Sequence, residues 1–284
     1  MTAPPRITAL YVPGSRPDRF DRAVASGAQV VILDLEDAVA PADKDTARRD
    51  IEAWFTTLDP AKTPVIQVRA NAVGTDWFER DLRMIARLAQ HAPVELRLPK
   101  VEQLTDLDEA ATDLLGQVPV CALIETAVGL ENAFLLAQHP AVSTVALGDS
   151  DLAGDLGSSS VGVLDWARIR LLVAARAAGL PAPMLSVYPE LRDLAGLEAD
   201  TIRGRSLGLI GRTAAHPSQL APIAKAFRPS QAEVDWAAEV ERVLSDAANG
   251  VGVLASGEMV DAAMAARAAR VRALQVAVAT IAGA

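Results

Sequence analysis

One stretch constrains the chain more than any other: residues 118–151, VPVCALIETAVGLENAFLLAQHPAVSTVALGDSD. It holds two short apolar runs that end in acids, with a helical pattern between them. The first run stops at Glu125, the second at Asp149 and Asp151. Strand, helix, strand at this length is a right-handed parallel crossover. Both acidic ends then emerge on one edge of a parallel sheet, at the carboxyl ends of the strands. Parallel α/β enzymes keep their chemistry there. Carboxylates in that place suit a hard cation such as Mg2+, which takes oxygen ligands. Asp149 and Asp151 compete for the second ligand position, and spacing alone does not choose between them.

The same period runs through most of the chain. Apolar runs at 7–13, 30–37, 64–71, 94–100, 118–125, 143–151, 183–189 and 207–217 read as eight strands. Helical patterns separate them. The second run, VVILDLED, is nearly all apolar before its acids, as a strand covered on both faces should be. Eight such units over 1–228 have the arithmetic of a TIM (β/α)8 barrel. A doubly wound sheet is the rival, but its glycine fingerprint is missing after the first strand. Residues 229–284 differ and read as a C-terminal helical arm. The arm opens with a capping box at Ser230 and Glu233 and ends in an Ala-rich helix from about 262. Its apolar face needs company, from its own barrel or from a neighbouring subunit.

Composition narrows the partners. A net charge of −9 argues against nucleic acid and anionic membranes. One cysteine, Cys121, and three scattered histidines leave no thiolate or zinc motif. No apolar run reaches membrane length, and the expectation is a soluble, cytoplasmic protein.

Other charges stand at the same sheet edge. Arg69 ends the third strand, where a guanidinium can grip a carboxylate with both prongs or pair with a structural acid. Asp34, Glu36 and Asp37 cluster after the second strand, and crowding raises a carboxylate's pKa, which suits an acid or base. Arg16 and Arg19 follow the first strand, where they can meet phosphates or simply face solvent. Lys100, at the end of the fourth, is the Schiff-base candidate. Asp261 precedes the last helix, and a plain N-cap already explains an aspartate there. His216 reads as structural.

Taken in order, LYVPGSRPDRFDRA, VVILDLEDAV, KDTAR, VRAN, LPK, LIETAVGL, LGDSDLAGDLG, GRTAAHPSQL and GEMVDAAMAARA span nearly the whole chain. Together they resemble the citrate lyase beta-subunit family, within the wider HpcH/HpaI aldolase superfamily. The resemblance implies a Mg2+-dependent TIM barrel, usually trimeric, acting on a C–C bond between a 2-oxo acid and an acyl thioester. It implies that Glu125 and Asp151 hold the metal, so that Glu125 also stands against the substrate, and that Arg69 binds substrate. It makes Asp261 the acid that reaches a neighbour's active site, with Asp37 and Asp261 as candidates for proton transfer. Arg16 and Arg19 lean the thioester towards free CoA rather than a carrier protein. Two departures stand out: GDSDL where the family often has GAEDL, and Ala262 where it often has Pro. The implied activity is a lyase or synthase on a malyl-, citramalyl- or citryl-type thioester. A thioesterase on the same scaffold is the alternative, and a non-catalytic thioester-binding subunit is a third reading.

Overall fold

The computed structural model describes residues 4–61, 63–114, 116–247 and 250–282. The apolar runs form β1 (Thr8–Pro13), β2 (Val30–Asp34), β3 (Val65–Arg69), β4 (Val94–Leu98), β5 (Val120–Ile124), β6 (Val142–Leu147) and β7 (Arg212–Ala214). All pair in parallel, in the order β6-β5-β4-β3-β2-β1-β7. Every residue of β2 and of β5 is buried. Covered on both faces, such strands have no polar side to present. The sheet curls as a TIM-type barrel does.

Helices alternate with the strands: α1 (Phe20–Val24), α2 (Lys44–Phe55), α3 (Phe78–Leu88), α4 (Leu104–Asp113), α5 (Ala127–Glu131), α6 (Ala133–Ala137), α7 (Asp149–Asp155), α8 (Val161–Ala177), α9 (Leu194–Ser206) and α10 (Leu220–Phe227). The longer ones bury an apolar face, as α2 does with Ala47, Ile51 and Phe55. In α3 the buried stripe includes Phe78, Leu82, Ile85 and Leu88, the three-to-four spacing of one helix face. Gly211 lets β7 approach β1 closely, because a Cβ there would lie 2.6 Å from Ile7 Cα.

The seventh expected strand, 183–189, is the main departure. It shrinks to one bridge, Leu185 with Arg212. Leu185 donates to Gly211 O and accepts from Thr213 N, both at 3.0 Å. Pro181, Pro183 and Pro189 crowd this segment, and proline has no N–H to extend a ladder. The segment still fills the eighth place around the barrel, beside β7. Ser186 Oγ accepts from Asp149 N at 3.4 Å and ties it to the end of β6. The sixth strand also ends earlier than its sequence pattern suggests. It stops at Leu147, and Asp149 and Asp151 stand in the first turn of α7.

The arm comprises α11 (Gln231–Asp246), a ribbon of β8 (Gly252–Val253) with β9 (Met259–Val260), and α12 (Ala262–Ala282). Its capping box is formed: Ser230 Oγ accepts from Glu233 N, and Glu233 accepts from Ser230 N. Ala237, Val240, Leu254, Val260, Ala268 and Val271 make a small core of the arm's own. Further along α12, Leu274, Ala277 and Val278 join the main core. Gln29 Nε2 donates to Ala277 O at 3.3 Å, beneath the amino end of β2. The end residues 1–3 and 283–284 of the two expected segments lie outside the described residues. Among the described residues, no helix is long and apolar enough to cross a membrane.

Candidate active site

A cavity of about 190 Å³ opens at the carboxyl ends of the strands. Tyr11, Arg69, Arg97, Glu125, Asp151, Ser186 and Thr213 are among its lining residues. Glu125 follows β5 directly and is 2% exposed. Its Oε1 accepts from Lys100 N at 2.8 Å. To aim that N–H, Lys100 takes a left-handed φ of 53°, a conformation a residue with a Cβ adopts only where its surroundings enforce it. Gly148 supplies the space opposite. A Cβ there would sit 2.4 Å from Glu125 Oε2. Burial, then the charges of Glu36 and Asp151, push the Glu125 carboxyl up to about 7.

The two aspartates after β6 part company. Asp149 turns inward, and Arg168 Nη2 donates to its Oδ2 at 2.6 Å. Arg168 also meets Asp165 and Asp200, and Arg212 and Arg203 extend that network. Asp151 is exposed and lines the cavity with Glu125. The arginine that selects between the two aspartates is 19 residues away in sequence.

Arg69 is engaged rather than free. Asp34 takes both prongs of its fork, and Nη1 lies 2.8 Å from Glu36 and 3.3 Å from Asp37. Lys100 Nζ holds the other oxygen of Glu36 at 2.6 Å. Burial raises the Glu36 pKa against the pull of Arg69 and Lys100.

The other expected positions sit elsewhere. Asp37 is at the rim, 61% exposed, and touches Arg69. Arg16 folds onto Asp18 at 2.8 Å, both exposed, and Arg19 is exposed beside them. Asp261 caps α12, its Oδ1 accepting from Ala263 N at 2.9 Å and Met264 N at 3.3 Å. None of these four is among the cavity's lining residues. His216 caps the short turn after β7.

Sequence reasoning missed Arg97, which lines the cavity from β4 and is 5% exposed. Its signal was an arginine inside an apolar strand, sharing a face with Glu95 by alternation.

Among the described residues, no three His, Cys, Asp or Glu side chains converge as a ready-made metal cage. Glu125 and Asp151 alone suit Mg2+. That ion binds through one or two carboxylates and completes its shell with water and substrate oxygens. Burial first, and then its acidic neighbours, raise the Glu125 carboxyl to about 7, and a cation held there would restore its charge.

Fold and cavity define the class: a (β/α)8-barrel enzyme that works at the carboxyl ends of its strands. Residues 7–217 match the family model described as HpcH/HpaI aldolase/citrate lyase, and the chain belongs to that family. It is 36% identical over 245 residues to a (3S)-malyl-CoA thioesterase of Cereibacter sphaeroides, covering 83% of this chain and 81% of that one. It is 29% identical over 295 residues to an L-malyl-CoA/beta-methylmalyl-CoA lyase of Rhodobacter capsulatus, covering 92% of each. Among solved structures, it is similar to the CitE protein of Mycobacterium tuberculosis in complex with magnesium, acetoacetate and coenzyme A. That match has a TM-score of 0.79 and 32% identity, and it covers 96% of this chain and 98% of the other.

Proposed function

We propose that the chain is a Mg2+-dependent carbon–carbon lyase, or synthase in reverse, that interconverts a 3-hydroxy-3-carboxyacyl-CoA with a 2-oxo acid and an acyl-CoA. One observation carries this reading: Glu125 and Asp151 line one cavity at the strands' carboxyl ends, with Glu125 buried and the charges of Glu36 and Asp151 acting on it.

Glu125 and Asp151 would hold the Mg2+. The ion supplies fixed positive charge where an oxygen gains negative charge as the C–C bond breaks. Lys100 N–H and the bare face of Gly148 keep the Glu125 carboxylate in place. Asp34 fixes the plane of Arg69. A substrate carboxylate can then take over the Nη1 edge, while Glu36 keeps its bond to Lys100. Asp37 stands at the rim beside Arg69 as one proton carrier. Asp261 is the second, delivered by the arm of a neighbouring subunit in a trimer. Arg16 and Arg19, exposed after β1, serve as partners for CoA phosphates. In this scheme the barrel of 1–228 carries the chemistry and the arm of 229–284 completes it across the subunit boundary. The site serves cytoplasmic metabolism.

The thioesterase reading has its own support in the Cereibacter sphaeroides relative. It needs only that water reach the bound thioester. A metal-dependent cleavage screen over malyl-, citramalyl- and citryl-CoA tests both. A lyase yields a 2-oxo acid and an acyl-CoA; a thioesterase yields free CoA and the intact hydroxy acid. Full turnover of these thioesters in excess EDTA would overturn the metal-based reading.

A further inference from the structure

Among the described residues, Lys100 is the one residue other than glycine with a left-handed φ, at 53°. Its place explains the conformation. Pro99, just before it, has no N–H to give. An extended strand turns successive N–H groups to opposite sides, whereas a left-handed residue brings two to the same side. Here both turn to β5 and the acid that follows it. Lys100 N donates to Glu125 Oε1 at 2.8 Å, and Val101 N donates to Leu123 O at 3.3 Å. Straightening the chain at Lys100 would take the first of these donors away from Glu125.

The side chain of Lys100 leaves in another direction. Lys100 is not among the cavity's lining residues. Its ammonium is committed to Glu36 Oε1 at 2.6 Å, where a Schiff-base lysine would have to face the cavity. Glu36 is in turn shared. Its buried carboxylate meets Lys100 through Oε1 and Arg69 Nη1 through Oε2, the latter at 2.8 Å. The two contacts differ in kind. The first is a hydrogen bond. In the second the atoms are close but misaligned: Oε2 has no hydrogen-bond partner among the described residues, and Nη1 donates to Asp37 at 3.3 Å. Lys44 Nζ donates to Glu36 O at 2.9 Å. The backbone of Glu36 is therefore held, and its side chain alone can choose between the two cations. Asp34 occupies the other edge of Arg69, so Nη1 is the edge that a substrate carboxylate needs. Whatever draws Glu36 away from Nη1 keeps that edge open.

Resting on the lyase reading above, we propose that Lys100 is a positioning residue for the substrate arginine as well as for the metal carboxylate. Its ammonium draws Glu36 off Arg69, so that the carboxylate of the 2-oxo acid finds an open edge. Its backbone N–H, aimed by the left-handed turn, holds Glu125. One strained residue thus serves both halves of the site, through two separable groups.

The test separates side chain from backbone by calorimetry. Mg2+ is titrated into the protein, and pyruvate into the Mg2+-loaded protein. Lys100→Gly keeps the left-handed backbone at no steric cost and removes the ammonium. It should bind Mg2+ about as tightly as wild type, and pyruvate about tenfold or more weakly, the scale of one hydrogen bond to a charged group. Lys100→Val is β-branched and opposes the left-handed turn. It should bind Mg2+ about tenfold or more weakly for the same reason. Adding Glu36→Gln to Lys100→Gly removes the carboxylate that competes for Arg69, and should restore most of the pyruvate affinity. Loss of a merely structural lysine would not be rescued in this way. Thermal unfolding checks that each variant is folded. Lys100→Asn, which also accepts the left-handed region, stands in for Lys100→Gly, and Lys100→Thr for Lys100→Val. Wild-type pyruvate affinity in Lys100→Gly, or a loss that Glu36→Gln does not rescue, overturns the role of the ammonium and leaves the lyase reading intact. Equal Mg2+ affinity in Lys100→Gly and Lys100→Val overturns the role of the turn. Absence of Mg2+-dependent pyruvate binding in wild type overturns the lyase reading and the inference with it.

Discussion

Asp34 holds both prongs of the Arg69 guanidinium, Oδ1 accepting from Nε at 2.7 Å and Oδ2 from Nη2 at 2.6 Å. Both side chains are buried. Without Asp34, Arg69 keeps only Glu36 and the rim acid Asp37 on one edge. Asp34→Ala should lose about 1.5–3 kcal/mol in urea denaturation, the scale of a hydrogen bond to a charged group. Adding Arg69→Met should recover part of it, since Glu36 keeps Lys100. A single variant within about 1 kcal/mol of wild type, the range of a solvated pair, would show that the pair is not structural.

Asp151 separates metal binding from folding. It is exposed and accepts no hydrogen bond among the described residues. Asp151→Asn should therefore change stability by no more than about 0.5 kcal/mol. It should nevertheless abolish the rise in Tm that Mg2+ gives wild type, and abolish turnover with it. An undiminished Mg2+ shift in Asp151→Asn would remove Asp151 from the ligand set.

The Glu125 carboxyl sets a pH dependence. Its pKa rises from 4.5 to about 7 on folding. Between those values the unfolded chain gives up a proton that the folded protein keeps. Stability of the metal-free protein should thus fall from pH 4.5 to 7 and level off above. At about 1.36 kcal/mol per tenfold change in proton affinity, the full loss is about 3 kcal/mol. Glu125→Gln should cancel it, so wild type and variant should match near pH 4.5 and diverge at pH 8. Protons should also compete with Mg2+, which should bind more weakly at pH 6 than at pH 8. Parallel denaturation profiles across this range would contradict the assignment.

Gly148 should tolerate no side chain. The added Cβ of Gly148→Ala would meet Glu125 Oε2 at 2.4 Å and Glu125 Cβ at 2.6 Å. Overpacking of this kind costs about 1–3 kcal/mol. The carboxylate should shift, and Mg2+ affinity should drop about tenfold or more, which is ~1.4 kcal/mol. Wild-type Mg2+ affinity in Gly148→Ala, read by calorimetry, would mean that the close approach is dispensable.

Asp261 caps its helix within its own chain. Asparagine caps equally well, so a capping role alone forecasts little effect of Asp261→Asn on rate or stability. As an acid–base group serving a neighbour, it should cost about 10²-fold or more in rate. Mixing Asp261→Asn with Glu125→Ala after dissociation and reassembly should then restore activity, since some sites would pair an intact acid with an intact metal site. Full activity of Asp261→Asn would end the shared-site reading.

The strands were legible because a strand covered on both faces leaves an uninterrupted apolar run, as in VVILD and VCALI. Three prolines in and beside 183–189 were the visible signal that little of it could pair, against an apolar pattern that reads as a strand. Glu125 was legible as the acid that ends an apolar run, whereas spacing left Asp149 and Asp151 open and only the resemblance chose Asp151. The partner of Arg69 was not, because Asp34 lies 35 residues away and meets it only through register. Arg97 differs from Arg69 only in its neighbours, and those come from β1, β3 and β5. A sequence shows that an arginine is present; only the packed barrel shows which groups surround it.

The foot of α12 lies under the amino end of β2, through Gln29 and Ala277. Its opposite end starts just after Asp261. The interval from Asp261 to Ala277 is about 24 Å at ~1.5 Å per residue. The helix is thus a strut: whatever clamps its foot also sets where its tip stands. Leu274 and Val278, packed in the main core, act on Asp261 as the seat of a lever acts on its arm. A cavity opened beneath them would tilt the tip without touching it, so the aim of that carboxylate is settled on the side of the barrel away from the strands' carboxyl ends.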